Sequence, residues 1–146
     1  MAKVLIVCAT RTGATTEIGN LIAEGVRIGG HEATVVNANT IKKETDLQGY
    51  DGYAFGSATY HGEMLEAMKR VLFLAEKAEL TGKAGAAFGA FGWSGEAPDR
   101  IFNTMTHIFK MDMVGTALRL KSASLEGGVP MAQGYGREIA KKLAGA

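Results

Sequence analysis

Short apolar runs alternate with amphipathic ones along this whole chain, and the alternation leaves few folds open. Lys3 to Cys8, Ala33 to Val36, Gly52 to Ser57, Ala84 to Ala90 and Val114 to Leu120 read as five strands. Between the first two, Ile18, Leu21, Ile22 and Val26 recur at helical spacing until Gly29-Gly30 closes the helix. Met64, Leu65, Met68, Leu72 and Ala75 predict a second helix over 63–77. Ile101, Phe102, Met105 and Ile108 predict a third over 97–109, with Pro98 suited to its first turn. A last helix starts near Pro130 and carries Tyr135, Ile139, Ala140 and Leu143 on one face. Strands and helices in this order predict an α/β fold with a doubly wound, five-stranded parallel sheet of order 2-1-3-4-5, because right-handed crossovers put helices on both faces.

The 146 residues, 47% of them hydrophobic, suit one domain spanning 1–146 with a full core. A net charge of +1 without a cluster of Lys or Arg gives no electrostatic footprint for nucleic acid. The first apolar run, Val4 to Ala9, stops before Arg11 and is too short for membrane insertion or a secretory signal. A single cysteine, Cys8, cannot form an internal disulfide. The expectation is a cytoplasmic protein.

Thr10-x-Thr12-Gly13-x-Thr15 stands between the first strand and the first helix. Such a junction offers one anion the unpaired N–H groups and positive dipole end of a helix, together with three hydroxyls. It lacks the Lys of a Walker loop and the glycine spacing of a dinucleotide fingerprint, so a phosphate monoester held by neutral donors is the ligand it suits. Arg11 and Ala14 fill the variable positions. In the predicted topology the ligand crevice lies beyond the carboxyl ends of strands 1 and 3, where strand order reverses. Thr59-Tyr60-His61-Gly62 and Phe91-Gly92-Trp93-Ser94-Gly95 leave the sheet at the same edge, each bringing an aromatic among small or hydrogen-bonding residues. A ligand with a phosphate at one end and a flat ring at the other satisfies all three loops.

On these residues the chain resembles a short-chain flavodoxin, whose phosphate motif Ser/Thr-x-Thr-Gly-x-Thr/Ser is matched by Thr10, Thr12, Gly13 and Thr15. Gly56-Ser57-Ala58-Thr59-Tyr60 and Gly92-Trp93-Ser94-Gly95-Glu96-Ala97 are closer still to the flavodoxin domain of A-type flavodiiron proteins. The resemblance implies bound FMN, with its phosphate on 10–15 and its ring between Tyr60 and Trp93. It also implies that the His61-Gly62 peptide turns toward the flavin on reduction, and that a monomer passes single electrons between redox proteins, a reductase and an acceptor, through a stabilised semiquinone. Flavodoxins are usually acidic and this chain is near neutral, so its second potential is expected to be higher, with His61 as a titratable neighbour of ordinary pKa about 6.5. An FMN-dependent NAD(P)H or quinone reductase, a flavodoxin domain excised from a flavodiiron protein, and a redox-silent FMN carrier are the alternatives.

Other chemistries lack their residues. A phosphatase nucleophile at Cys8 needs Arg after five intervening residues, and position 14 is Ala; a phosphoacceptor receiver needs acids where Val7-Cys8-Ala9 and Gly56-Ser57-Ala58 stand. Cys8 therefore reads as a small buried hydrophobe. His31, His61 and His107 lie on separate elements and suggest no metal site, with His31 and His107 at the surface.

Overall fold

The computed structural model describes residues 1–91, 96–121 and 127–145. Within them run the strands β1 (Lys3–Ala9), β2 (Glu32–Asn37), β3 (Gly52–Ser57), β4 (Thr59–Tyr60), β5 (Glu63–Met64), β6 (Ala84–Ala90), β7 (Asp112–Met113) and β8 (Leu118–Leu120). The helices are α1 (Ala14–Ile28), α2 (Glu66–Lys77), α3 (Glu96–His107) and α4 (Gly128–Ala144). β1 pairs in parallel with β2 on one side and β3 on the other; β6 follows β3, and β7 and β8 both pair with β6. This is the expected order, with β7 and β8 sharing the fifth place.

β1 is buried at every position except Lys3, as a parallel strand covered on both faces must be. Its side chains alternate between two layers. Leu5, Val7 and Ala9 pack with Met68, Val71 and Leu72 of α2 and with Ile101 and Met105 of α3, while Val4, Ile6 and Cys8 pack with Ile18, Ile22 and Val26 of α1 and with Tyr135 and Ile139 of α4.

The structure corrects three local readings. Val114 to Leu120 is not one strand: the edge breaks between β7 and β8, where Gly115 takes φ +48. The Tyr135 hydroxyl of α4 fills the gap, accepting from the Ala87 N–H at 3.2 Å and lying 3.0 Å from Ala87 O and 2.9 Å from Thr116 O. Burial pushes the pKa of that hydroxyl above its ordinary range and keeps it protonated. The second helix starts at Glu66 rather than Glu63, because Glu63 and Met64 pair with Tyr60 and Thr59 in a hairpin. Ile108 is 60% exposed instead of inward, since α3 ends at His107 and Lys110 reverses the chain at φ +56, which leaves Phe109 and Met111 to enter the core.

Candidate functional site

β1 ends on Ala9, and the chain turns through Thr10 to Gly13 into α1. The Gly13 N–H donates to Thr10 Oγ1 at 2.9 Å and closes the turn. Gly13 is the N-cap of α1 at φ +92, a conformation that would cost a residue with a Cβ roughly 1–2 kcal/mol. No side chain caps this helix, so the N–H groups of its first turn remain open to a ligand. Beside them the Thr15 hydroxyl is fully buried with no hydrogen-bond partner. An orphan of that kind costs about 1–3 kcal/mol, and the aligned helix dipole favours an anion as its missing partner. Thr10 and Ala14 are half-buried, and Arg11 and Thr12 are exposed.

Cys8 lies behind this loop, inside the layer under α1. Burial pushes its thiol up to about 12, which removes it as a nucleophile and leaves it a packing residue.

β4 and β5 form the second wall. Between them His61 and Gly62 take φ +52 and +75, the two positive values of a tight type I′ turn. The Ser57 hydroxyl donates to Ala58 O at 2.8 Å and accepts from the Leu65 N–H at 3.0 Å, and the Ala58 N–H donates to Ala9 O at 3.1 Å. The base of the hairpin is thereby tied to the end of β1. Tyr60 is 45% exposed at its tip. The Arg11 guanidinium carbon stands 3.8 Å from the Tyr60 ring centroid, and the His61 ring packs at 4.1 Å and 59° on the same tyrosine. At an exposed site such a cation–π contact contributes about 0.5–1 kcal/mol, enough to bias Arg11 toward the hairpin rather than open water. Glu63 braces the hairpin from outside, 3.5 Å from Arg100 of α3 and 3.7 Å from Lys69 of α2. Gly62→Val puts a β-branched residue at positive φ, at a cost of roughly 1–2 kcal/mol. A Cβ there would meet nothing within 4 Å, so the cost is conformational. Faster amide exchange centred on 59–64, with Tm lower by a few degrees, is the expected result.

The third loop begins at Phe91, half-buried, whose N–H donates to Leu120 O at 3.1 Å. Gly92, Trp93, Ser94 and Gly95 lie outside the described residues. Thr59 links the hairpin to α3: its hydroxyl accepts from the Ala97 N–H at 3.1 Å and so caps that helix from a neighbouring strand. The structure thus joins 10–15 to 59–62 directly through Arg11 and Tyr60, and places Phe91 at the same sheet edge. Ser57 and its hydrogen bonds escape a reading of motifs alone; a hydroxyl at the end of an otherwise apolar strand is the signal that marks it. His31 Nδ1 accepts from the Ala2 N–H at 3.0 Å, and His107 is exposed. No group of His, Cys, Asp or Glu among the described residues could hold a metal ion.

This edge joins an uncapped helix, a buried orphan hydroxyl and an aromatic hairpin, and it coincides with a sequence match: a family model described as Flavodoxin covers residues 6–127. The chain belongs to the flavodoxin family. It is 31% identical over 146 residues to a flavodoxin of Aquifex aeolicus, covering 91% of this chain and 78% of that one. It is 37% identical over 99 residues to the type A flavoprotein of Rhodobacter capsulatus, covering 65% of this chain but only 22% of that protein's length. The solved structure of a flavodoxin from the domain Archaea superposes with a TM-score of 0.90 at 27% identity, covering 97% of this chain and 99% of that one. Flavodoxins are FMN-binding electron-transfer proteins, and FMN is the cofactor this family membership assigns. The Thr15 hydroxyl and the open first turn of α1 fit its phosphate.

Proposed function

We propose that this flavodoxin carries electrons one at a time between a reductase and an electron-accepting redox protein, with FMN held where β1 and β3 end. The observation that carries the reading is the buried, unpartnered Thr15 hydroxyl at the uncapped start of α1, in a loop whose Arg11 meets Tyr60 of the hairpin. When bound, FMN supplies reversible one-electron chemistry that no side chain here provides. The hydroxyls of Thr10, Thr12 and Thr15 and the N–H groups around Gly13 hold the phosphate. Tyr60 covers one face of the ring and, by family resemblance, Trp93 covers the other, with Phe91, Gly92, Ser94 and Gly95 shaping the third loop. Thr59 ties the hairpin to the start of α3, and the His61-Gly62 turn sets the height of Tyr60. The 37% identity to a type A flavoprotein supports a second setting for the same site, as the electron-transfer module of a larger oxidoreductase.

A fluorescence titration of flavin-free protein tests the phosphate assignment. FMN is expected to bind on the order of a hundredfold more tightly than riboflavin, since at least two hydrogen bonds to a charged group are at stake. Equal affinities would overturn it.

A further inference from the structure

A groove of about 400 Å³ runs along the outer side of α2, and the flavin site makes no use of it. Its apolar wall is Ile41, Phe73 and Leu74, its polar rim is Lys42, Lys69 and Arg70 with Asn39, and no carboxylate lines it among the described residues. Phe73 is 63% exposed although it is large and apolar, and Lys77 lies 4.7 Å over its ring. Arg70 is held by Asn39 Oδ1 at 3.2 Å, a neutral partner that orients the guanidinium without cancelling its charge. Lys69 is shared with Glu63 and Glu66, whereas Lys42 and Arg70 make no ion pair among the described residues. Beyond Phe73 the apolar surface continues to the exposed Ile108 through a second groove of about 260 Å³. An exposed aromatic flanked by a positioned Arg is the composition of protein–protein hot spots rather than of ordinary surface.

The position of the groove gives it a purpose. Asn37 is the partner of Cys8 across β1 and β2, so the turn at 38–40 that carries Asn39 stands beside the start of the phosphate loop. Lys69 reaches Glu63 of the hairpin that presents Tyr60 and His61. A protein seated on Phe73 therefore stands against the hairpin next to the flavin ring. We propose that this groove is the docking surface for an acidic redox protein, which places an apolar side chain against Phe73 and carboxylates on Lys42, Lys69 and Arg70. The inference rests on the one-electron carrier reading above. In the docked pair one electron leaves the partner's ferrous centre, which becomes ferric, and reduces the loaded carrier by one electron; the reverse transfer uses the same surface. Opposite charges concentrate the encounter and make its rate fall with salt.

The test uses FMN-loaded protein and a reduced acidic, low-potential [2Fe–2S] ferredoxin of plant type as donor, mixed in a stopped-flow instrument, with methyl viologen radical as a small control donor. The wild-type rate with ferredoxin is expected to fall steeply with added NaCl. Lys42→Glu with Arg70→Glu should slow it at least tenfold at low salt, and Phe73→Ser at least threefold with an unchanged salt slope. Phe73→Ser should leave FMN affinity and the methyl viologen rate within twofold of wild type. Lys83→Glu with Lys141→Glu, remote from the groove, should leave the ferredoxin rate within twofold. Groove variants that react at the wild-type rate, or a remote pair that slows as much as the groove pair, would overturn the docking surface. Ferredoxin that fails to reduce wild-type protein while methyl viologen succeeds would overturn it too and leave the carrier reading standing. Failure to bind FMN would remove that reading itself.

Discussion

Thr15→Val is expected to cut FMN affinity by about 1.5–3 kcal/mol while leaving the flavin-free protein as stable as before or more stable, and the opposite signs are the point. Thr15 is fully buried and its hydroxyl has no partner in the protein. In the flavin-free state that oxygen only loses hydration, so a methyl in its place removes a penalty of about 1–3 kcal/mol at nearly constant volume. With phosphate present the same oxygen gains a charged acceptor, and its removal costs one charge-assisted hydrogen bond, a loss of roughly ten- to a hundredfold in Kd. Thr15→Ser keeps the hydroxyl and should retain most of the affinity. Calorimetric titration with FMN and thermal unfolding of the flavin-free variants separate the two effects. A valine variant that is destabilised without losing affinity would mean that Thr15 serves packing alone.

Tyr60→Ala should weaken FMN and riboflavin alike, by about 1–3 kcal/mol, the range found when an aromatic that stacks on a flat heterocycle is truncated. Among the described residues Tyr60 makes no side-chain hydrogen bond that the substitution would break; its ring meets Arg11 and His61, and the residue is 45% exposed. The loss should therefore appear in the ring and not in the phosphate, which the use of two flavins resolves. Arg11→Gln provides the companion measurement. With the guanidinium on Tyr60 at 3.8 Å, both flavins should lose the same small amount, about 0.5–1 kcal/mol. A loss confined to FMN would mean instead that Arg11 leaves the tyrosine for the phosphate.

The parts of this molecule that sequence reveals are those in which local chemistry and global fold agree. β1 reads correctly because a central parallel strand is apolar on both faces, and the turn after it because Gly13 and its neighbouring hydroxyls suit only a helix entry. Cys8 reads correctly because the chemistry that would activate it lacks its arginine. The hairpin at 59–64 was concealed by Met64 and Leu65, which fit a helical period although Ser57 holds Leu65 out of the helix. His61-Gly62, with its preference for positive φ, is the local signal that outweighs that period. The broken edge at 114–117 has Gly115 as its one local signal, and the group that replaces the ladder, Tyr135, stands 48 positions away from Ala87. Thr59 caps α3 across 38 positions, and Arg11 meets Tyr60 only once β1 and β3 are paired. Contacts of that kind belong to the tertiary fold and have no periodicity to read.

Stepwise reduction of the FMN-loaded protein under anaerobic conditions, followed by its visible spectrum, decides whether this flavodoxin carries electrons singly. A one-electron carrier should show a long-wavelength band that rises to a maximum near one electron per flavin and then declines as the second electron enters. Bleaching of the oxidised flavin in a single two-electron step, with no such band at any point, would contradict the account.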